Sequence, residues 1–568
     1  MLRPLSPGEA RIDDGFWAQW QRLNRDVLIP AGRRELERAG NFSNLRAAAA
    51  GSGEYRGFVF QDSDLHKWLE AVGHELARAP SAELERMADE TTALLEAAQD
   101  EDGYLNSCYQ VEGRERWSNL AWDHELYCAG HLFEAAVAQP GNVRLLGVAR
   151  RLADHLVDVF MDGSGCCGHP EVELALVALY RLTGSRAYLE LAGRFVDRRG
   201  HGTLQPAYRG AAYFQDRVPV RAQSEVEGHA VRALYLACGA ADLYLETGEP
   251  ALLEALRAQW HDMAARKAYV TGGVGGNPAD EAFGGPYELP ADRAYAETCA
   301  AIASVFFNWR MLLATGEPRF AELLERTLYN GVLAGVALDG SGFAYVNPLH
   351  VRDSGFVRFY PWFPCACCPP NLMRLLASLQ RYVATRDERG VQIHQYMSGT
   401  FGGVRVRTDY PWDGRVEVEA PGTVSLRVPA GARLDGEPVA PGYVTFSGRR
   451  AVLELDMAPR VVAAHPRVDA VRGCIAIERG PLVYCIEAAE VDDLRLFGNL
   501  RAVSRPDLLG GIVAVEADGV HEPAGDPDWP YAPPAACPGR PVPLLAVPYA
   551  FWGNRGPGAM RVWIPQSS

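Results

Sequence analysis

The sequence has no long apolar run and is short of positive charge. Its 56 lysine and arginine residues are outnumbered by 71 aspartate and glutamate residues, which gives a formal net charge of −15. An acidic surface repels phosphate backbones, so the composition argues against a nucleic-acid partner. Because no run of about eighteen apolar residues occurs, we predict neither a transmembrane helix nor membrane association.

The N-terminal segment MLRPLSPGEARIDDGFW lacks the apolar core of about seven or more residues that a secretory signal peptide contains. We therefore expect a cytoplasmic protein, and disulfides are rare in that compartment. The 12 cysteines then divide between core packing, metal binding and catalysis. The cysteines that stand within apolar runs are predicted to be core residues, namely Cys128, Cys238, Cys474 and Cys485.

Several catalytic signatures are missing as well. The sequence has no P-loop, no GxGxxG that follows a strand, no HExxH and no GxSxG. Nucleotide chemistry, dinucleotide-dependent redox and serine hydrolysis therefore lose their usual sequence support. What remains is a globular composition, with 48% hydrophobic and 22% charged residues. A chain of 568 residues allows roughly three or four domains of about 150 residues each.

Apolar residues recur at three- and four-residue spacings through the first two-thirds of the chain, which is typical of buried helices. Three of these helices run into the same Thr-Gly connection before a second helix, at Gly184, Gly248 and Gly316. A glycine after a helix end suits the left-handed cap position. Repeated αα-hairpins of this kind predict a helical toroid, in which each hairpin packs against its neighbours. The alternative is an irregular helical domain.

The pattern changes near residue 385. Short runs such as GGVRVRT, GRVEVEA and TVSLRVP alternate apolar and polar residues between turn residues, which predicts antiparallel strands. Helices followed by strands indicate separate domains and not βαβ units. With a proline-rich break at 523–543, we predict a helical domain over 1–385, a β-sandwich over 386–488 and a second small β-rich domain over 489–568.

The densest chemical cluster is the segment PCACCPPN, which begins at Pro364 and has three thiols within four residues. Upstream, Glu297 and Cys299 place a carboxylate and a thiol two residues apart. Thiolates are the soft ligands that zinc prefers, and a structural zinc site takes four tetrahedral ligands. Four would be supplied by Glu297, Cys299, Cys367 and Cys368. The alternative is a set of packed free cysteines.

Carboxylates and histidines form two further candidate groups. Glu281 lies in the Gly/Pro-rich stretch ADEAFGGPYELP, and loops of this kind often carry catalytic groups. It could equally be a solvated surface charge. His124, His169 and His229 stand at or near the starts of apolar helices, so in a toroid they could converge on one rim and hold sugar hydroxyls. The same rim could gather acidic and aromatic residues, namely Asp62 or Asp64 with Trp68, Trp117 and Trp122.

The motifs together resemble one enzyme family. In chain order they are FVFQDSDLHKWLEA, GHPEVELAL, EGHAVRALYL, YELPADRAYAETCA, YVNPL, CACCPPN, RGPLVYCIE and VPYAFWGNR. This set spans nearly the whole chain and resembles the β-L-arabinofuranosidases of glycoside hydrolase family 127, with the pairing of ETCA and CACCPPN as its most specific part. The resemblance implies a multidomain fold, a six-hairpin α/α barrel (toroid) followed by β-sandwich domains.

The resemblance also implies a site. Carried over position by position, Cys367 is the nucleophile and Glu281, sixteen residues before the ETC glutamate, is the general acid/base. Zinc is held by Glu297, Cys299, Cys367 and Cys368, so one cysteine is both ligand and nucleophile. Sugar contacts fall on His124, His169, His229 and Tyr345. In these roles we expect Glu281 to have a raised pKa and Glu297 to stay ionised on the metal.

The implied function is a zinc-dependent, retaining exo-glycosidase that releases β-L-arabinofuranose from a small oligosaccharide or glycopeptide. One alternative keeps the same machinery for a related furanoside or rare pentose glycoside. Another is a non-catalytic carbohydrate-binding protein with a structural zinc. A sugar epimerase or lyase on an α/α barrel would leave the cysteine cluster unexplained. The sequence does not determine the oligomeric state and is compatible with a homodimer.

The sequence departs from the family pattern at one sugar-binding position. Where characterised members have a glutamine, this chain reads GNFSN around Asn41 and Phe42. The residue that replaces the glutamine is not predictable from the sequence, although hydroxyl selection in the sugar pocket depends on it.

Overall fold

The computed structural model describes residues 2–204, 209–522 and 539–566. Helices occupy the chain up to Ala377, and strands dominate from Ala384 onward, as the hydrophobic periodicity predicted. The helices are α1 Gly15–Leu23, α2 Ile29–Ala39, α3 Asn41–Ala50, α4 Gln61–Arg78, α5 Ala82–Ala98, α6 Ser107–Glu112, α7 Glu125–Ala138, α8 Val143–Phe160, α9 Val172–Thr183, α10 Arg186–Arg198, α11 Ala230–Thr247, α12 Pro250–Asp262, α13 Thr298–Thr315, α14 Pro318–Thr327 and α15 Cys368–Ala377.

The strands are short, and three of them lie before Ala384 in the chain. They are β1 Arg3–Pro4, β2 Ala10–Ile12, β3 His350–Val351, β4 Ala384–Asp387, β5 Gly390–Ile393, β6 Gly399–Phe401, β7 Val404–Thr408, β8 Arg415–Glu419, β9 Thr423–Val428, β10 Arg433–Leu434, β11 Glu437–Pro438, β12 Gly442–Ser447, β13 Arg450–Glu454, β14 Arg460–Ala463, β15 Cys474–Arg479, β16 Leu482–Glu487, β17 Leu494–Arg505, β18 Ile512–His521, β19 Arg540–Pro548, β20 Met560–Arg561 and β21 Ile564–Pro565.

Six helices of the described chain form a closed ring of contacts. In order they are α4, α7, α9, α11, α13 and α15; each packs on the next, and α15 packs back on α4. Five of them also pack on the helix that follows in sequence, which are α5, α8, α10, α12 and α14. The ring helices are buried on nearly all sides, which explains why their apolar faces in the sequence are so wide.

The repeated Thr-Gly connections join ring helices to their outer partners. Gly184, Gly248 and Gly316 adopt φ angles of 76°, 69° and 72°, the left-handed conformation in which glycine costs least. The threonine before each glycine donates its hydroxyl to the carbonyl four residues earlier, at 2.8 Å in all three cases. The predicted αα-hairpin connections are therefore present at these three positions.

The strands form three sheets. A five-stranded sheet has the order β1-β4-β5-β9-β12, and a seven-stranded sheet has the order β11-β10-β13-β8-β7-β6-β2. A nine-stranded sheet follows the path β14-β15-β16-β19-β18-β17 and includes β3, β20 and β21. The expected boundary at 488/489 lies inside this third sheet, between β16 and β17. Of the proline-rich break at 523–543, residues 523–538 lie outside the described residues, and β19 begins at Arg540.

The third sheet holds the loop between Tyr345 and Pro364. Within this loop β3 pairs with β20 of the sheet. The buried guanidinium of Arg358 donates to the carbonyls of Ala334 at 2.8 Å and Trp552 at 2.5 Å. Tyr549 Oη donates to the carbonyl of Asn347 at 2.9 Å. The C-terminal region therefore positions a loop that runs from one predicted site residue towards another.

Helix α13 is long and apolar enough, by length and composition alone, to cross a membrane. However, 83% of this segment is buried inside the protein, where α13 is one of the ring helices. Burial of this kind is typical of a core helix.

The four cysteines that were predicted to be core residues lie mostly inside the protein, since Cys128, Cys238 and Cys485 are buried and Cys474 is half-buried. The eleven cysteines of the described chain are all free.

Asp242, which is buried on α11, links three ring helices through ion pairs with two less buried arginines. Its carboxylate lies 2.5 Å from Arg310 on α13 and 2.8 Å from Arg181 on α9. Burial raises the pKa of Asp242, but the charges of Arg310 and Arg181 outweigh it and hold the pKa below its usual value. The pair therefore stabilises the fold above the unfolded-state pKa of about 3.9, and this contribution is lost as the pH falls through the lower native pKa.

We expect Asp242→Ala to destabilise the protein by about 3–5 kcal/mol at neutral pH, because it takes the ion-pair partner from Arg310, whose side chain is mostly buried. Urea unfolding at pH 7 measures the shift in midpoint. The difference from the wild type should shrink at a pH below about 3.9, where the wild-type carboxylate begins to protonate. Asp507→Ala removes an exposed partner of Arg505 and serves as the control. Equal midpoint shifts in the two variants would contradict the assignment.

Candidate active site

The N-terminal ends of the ring helices carry most of the predicted site residues. His124 precedes α7, His229 precedes α11 and Glu297 precedes α13. Cys367 precedes α15, and His169 lies three residues before α9. These ends meet at a cavity of about 260 Å³. It is lined by eight of the predicted residues, namely His124, His169, His229, Glu281, Glu297, Cys299, Tyr345 and Cys367, while Cys368 is buried beside Cys299 and Cys367.

Three thiols and one carboxylate form a compact cluster on the cavity wall. Cys368 Sγ lies 3.3 Å from Cys299 Sγ and 3.7 Å from Cys367 Sγ. An oxygen of Glu297 lies 3.7 Å from Cys367 Sγ and 3.9 Å from Cys368 Sγ. Tetrahedral coordination with Zn–S near 2.3 Å and Zn–O near 2.0–2.2 Å implies ligand-to-ligand distances of about 3.5–3.8 Å. The four residues therefore fit a tetrahedral metal site.

The electrostatics of this cluster also favour a bound metal ion. The second carboxylate oxygen of Glu297 is buried and has no hydrogen-bond partner within the described chain. Burial and then the negative charge of Cys367 raise the pKa of Glu297 well above its usual value. A bound divalent cation reverses this situation, because it favours the ionised forms of its ligands. The cluster therefore suits a metal ion better than it suits four packed, uncoordinated side chains.

The three predicted histidines form a row along the cavity. The ring centroids of His124 and His169 are 5.6 Å apart, and those of His169 and His229 are 5.9 Å apart. Burial, followed by the charge of Arg232, lowers the pKa of His124 to about 3 and that of His169 well below its usual value. Both rings are therefore neutral at pH 7 and can exchange hydrogen bonds with hydroxyl groups without presenting a charge. The three histidines therefore lie side by side on one cavity wall.

The hydrogen bonds of His229 determine its tautomer. Its Nδ1 accepts from the backbone N–H of Arg232 at 3.5 Å, which caps the N-terminus of α11. The proton of the neutral ring is then on Nε2, which donates to Glu281 at 3.1 Å. His169 has the opposite arrangement, since its Nδ1 faces the carbonyl of Pro170 at 3.1 Å.

Glu281 departs from the expected electrostatics. Burial raises its pKa, but hydrogen bonds from His229 and Tyr295 and the charge of Arg232 outweigh burial, so the net pKa is below the usual value. The expectation of a raised pKa was therefore wrong for the free cavity. The carboxylate also approaches the thiol cluster, because one of its oxygens lies within 4.8 Å of an oxygen of Glu297.

The backbone of Glu281 has a strained conformation that its neighbours maintain. Its φ angle of 52° lies in the left-handed region, which non-glycine residues seldom adopt. Its carbonyl accepts from the N–H of Ala230 at 3.0 Å, and the next residue, Ala282, forms a β-bridge with His229. These bonds hold the Gly/Pro-rich loop against the start of α11 and direct the carboxylate into the cavity.

Tyr345 completes the surroundings of Cys367. Its hydroxyl oxygen lies 3.3 Å from Cys367 Sγ. Burial and the charge of Cys367 raise the pKa of Tyr345 well above its usual value, so the hydroxyl keeps its proton at neutral pH. It can donate that proton in a hydrogen bond to a thiolate or to a sugar oxygen.

Several of the weaker sequence candidates serve the fold and not the cavity. Asp62 is buried and accepts from the backbone N–H of Ser107 at 2.7 Å. Trp68 is fully buried, and its indole donates to the carbonyl of Ile29. Trp117 packs against Tyr104, with ring centroids 5.3 Å apart, and does not line the cavity. Of the predicted tryptophans in this group, Trp122 alone lines it.

Asn41, which lies where the sequence departs from the family pattern, does not line the cavity. Asn41 is buried, and its amide donates to the carbonyl of Gln61 at 2.7 Å. Neither residue lines the cavity. The side chain that replaces the family's sugar-binding glutamine is therefore not Asn41.

Some cavity residues were missed by the sequence reasoning. Lys67 is buried and pairs with Asp64 at 3.2 Å, and its charge adjoins Cys367 and Cys299. Arg232 also lines the cavity and donates to the carbonyl of Gly168 at 2.8 Å. For Arg232 the available signal was a cation in an otherwise apolar helical run, whereas Lys67 stands among the polar residues Ser63, Asp64 and Glu70 and gave no such signal. The remaining unpredicted polar wall residues are Ser63, Tyr127, Tyr213, Tyr235 and Cys365.

The sequence matches two profiles of one enzyme family. Residues 9–381 match the profile described as the GH127 catalytic domain of β-L-arabinofuranosidase, and residues 459–565 match the C-terminal domain of glycoside hydrolase family 127. A curated relative, the non-reducing end β-L-arabinofuranosidase of Bifidobacterium longum subsp. longum, is 36% identical over 96% of this chain and 96% of its own length.

Two solved structures are similar over almost their whole length. A GH127 β-L-arabinofuranosidase from Geobacillus stearothermophilus T6 is 37% identical, with a TM-score of 0.92 over 98% of this chain and 100% of its own. Another GH127 β-arabinofuranosidase is 33% identical, with a TM-score of 0.92 over 100% of this chain and 98% of its own.

We expect the purified protein to carry about one divalent transition-metal ion per chain, because four ligand atoms suit one tetrahedral ion. Cys368→Ser and Glu297→Gln should each lose most of it, as measured by elemental analysis after gel filtration. Cys365→Ser is the matched control, since this thiol lines the same cavity but lies outside the four-ligand cluster. Metal content that is equal in all four proteins would contradict the assignment of the ligands.

Proposed function

The chain belongs to glycoside hydrolase family 127, and from this premise we propose that it is an exo-acting, retaining β-L-arabinofuranosidase. The observation that carries the proposal is the arrangement of one cavity, in which Cys367, Glu281 and a row of three neutral histidines face a single small space. Two of the relatives described above support the proposed sugar specificity, because both are named β-L-arabinofuranosidases. The chain is a glycoside hydrolase by family.

The dimensions of the cavity support exo-action on a single sugar. Its volume of about 260 Å³ is below the range of about 300–1,000 Å³ typical of pockets for drug-sized ligands. One monosaccharide residue fits such a space, and the rest of the substrate extends outward. We interpret the ring of helices and its outer partners as a six-hairpin α/α barrel, with the cavity at the end where the helix N-termini meet.

Zinc is the metal that we propose for the cluster of Glu297, Cys299, Cys367 and Cys368. Three soft thiolates with one carboxylate in tetrahedral spacing favour zinc over magnesium or calcium, which prefer oxygen ligands. When bound, zinc keeps the Cys367 sulfur as a thiolate at neutral pH, whereas a free cysteine has a pKa of about 8.5.

The protein residues then perform a double displacement. Cys367 Sγ attacks the anomeric carbon while Glu281 donates its proton to the departing oxygen, which leaves a thioglycosyl enzyme. In the second step Glu281 takes a proton from water, the water oxygen attacks the anomeric carbon, and the carbon–sulfur bond breaks. Two inversions at one carbon retain its configuration. Glu297 lies between the two groups, 3.7 Å from Cys367 Sγ and within 4.8 Å of a Glu281 oxygen.

Substrate binding raises the pKa of Glu281, so that the carboxylate takes up from solvent the proton that it later donates. In the free cavity the Nε2–H of His229 lowers the pKa of Glu281. A sugar hydroxyl that accepts this N–H removes the hydrogen bond, and the sugar also displaces water from around the carboxylate. Both changes raise the pKa of Glu281 towards the value that a general acid requires at neutral pH. The remaining histidines, His124 and His169, then orient other sugar hydroxyls.

We expect the wild-type protein to hydrolyse nitrophenyl β-L-arabinofuranoside and to release β-configured L-arabinose first, as proton NMR would detect. A panel of other furanosides and pentopyranosides should react more slowly. Removal of the metal with a chelator should abolish the activity, and zinc should restore it. Full activity without metal would contradict the mechanism, and turnover of another pentoside in preference would assign the same machinery to a different sugar.

We expect two variants to separate the catalytic roles. Cys367→Ser should lose nearly all activity, because a serine hydroxyl is a much weaker nucleophile at neutral pH. Glu281→Gln should lower kcat/KM, which reports the first step, by about 10²–10⁴ for a sugar leaving group and by less for nitrophenol, which needs little protonation. Cys365→Ser is the control for the first variant. A Cys367→Ser enzyme with near-wild-type kcat would overturn the assignment of the nucleophile.

A further inference from the structure

We propose that Phe58, stacked on Phe60 at the edge of the cavity, is a platform for the leaving group of the substrate. This leaving group is a second sugar residue, and the C–H groups on one face of its ring pack on the exposed face of Phe58. This inference rests on the proposed function and deepens it, because it concerns the part of the substrate that the cavity does not hold.

A chain of ring contacts connects Phe58 to the cavity. Phe60 lines the cavity and lies 5.0 Å from the ring of His124, centroid to centroid. Phe58 stacks on Phe60 with centroids 5.3 Å apart and ring planes only 6° from parallel. Phe60, which forms part of the wall of the sugar pocket, is therefore stacked on a second, nearly parallel ring that is not part of this wall.

Exposure distinguishes Phe58 from most aromatic residues of the protein. It is 46% exposed, and the only other aromatic residues among the exposed large hydrophobic residues of the described chain are Tyr360 and Phe497. One face of the Phe58 ring is covered by Phe60, so the exposed area belongs to the rest of the ring. Because the exposed ring is stacked on a residue of the cavity wall, it offers an aromatic surface to a part of the substrate that extends beyond the cavity.

The loop that carries Phe58 is held in place before any ligand binds. The Tyr55 hydroxyl donates to the carbonyl of Phe58, and the N–H of Phe58 donates to Gln61 Oε1 at 3.3 Å. Asn44 exchanges hydrogen bonds with the backbone of Arg56 at 2.8 Å and 2.9 Å. A ring held by its own backbone loses little conformational freedom when a ligand packs on it, which favours binding.

The flat aromatic surface of Phe58 indicates which kind of leaving group can pack on it. Sugar rings present an apolar face of C–H groups, and an aromatic face attracts the positive edge of such groups. Because the stack is flat and has no charged side chain of its own, it would tolerate different linkages and sugars. We therefore expect it to strengthen the binding of any substrate whose leaving group begins with a sugar ring.

The test compares two substrates in one variant. For Phe58→Ala we expect KM for a β-L-arabinofuranosyl disaccharide to rise about three- to tenfold. For methyl β-L-arabinofuranoside, which has no ring in its leaving group, KM should change by less than about twofold. Phe58→Tyr should restore the KM for the disaccharide. Phe497→Ala is the matched control, because it removes a similarly exposed phenylalanine from strand β17 and should change the KM of neither substrate.

Three outcomes would overturn the inference. A disaccharide KM that does not change in Phe58→Ala excludes contact with the leaving group. An equal loss on both substrates shows that Phe58 only supports the cavity wall. If the wild type hydrolyses neither substrate, the proposed function itself fails and the inference fails with it. Thermal melting of each variant verifies that a change in KM does not come from unfolding.

Discussion

The central constraint on this protein is that the N-termini of six ring helices in the described chain meet around one small cavity. Each end carries the positive end of a helix dipole. The buried groups at these ends include Glu297, Cys299 and Cys368, which are costly to ionise away from water. A converging positive potential reduces this cost, and a metal ion would reduce it further. This explains why the reactive residues cluster at helix starts.

Arg374 helps to close the ring of helices and also supports the site. Arg374 on α15 donates to Glu70 on α4 at 2.9 Å and to Tyr235 Oη on α11 at 2.8 Å. Tyr235 lines the cavity, and α15 begins beside Cys367. The contact that joins the last ring helix to the first therefore also positions the thiol cluster. The third sheet acts from outside, because it anchors the loop between Tyr345 and Pro364 through β3 and Arg358.

Much of the fold was predictable because period and spacing are local properties. Wide apolar faces indicated helices buried on several sides, and the connections at Gly184, Gly248 and Gly316 had the predicted caps. The two N-terminal strands β1 and β2 were not predictable, since two or three residues carry no periodicity and join sheets formed almost 400 residues later. The predicted division at 488/489 lies within the third sheet, in which strand pairing joins β16 to β19.

By itself the sequence determined the reactive residue types, since ETCA and CACCPPN contain one carboxylate and the thiols of a candidate metal site. The tertiary structure brings the two motifs within reach of a common ion. Only the tertiary structure decided what each neighbouring polar group does. Asp62 bonds to Ser107, whereas Asp64 pairs with Lys67 beside the cavity, and no spacing distinguishes the two. The direction of the Glu281 pKa shift was decided in the same way. Burial and hydrogen bonding act on that carboxylate with opposite signs, and the His229 bond that reverses the shift exists only when the loop folds onto α11.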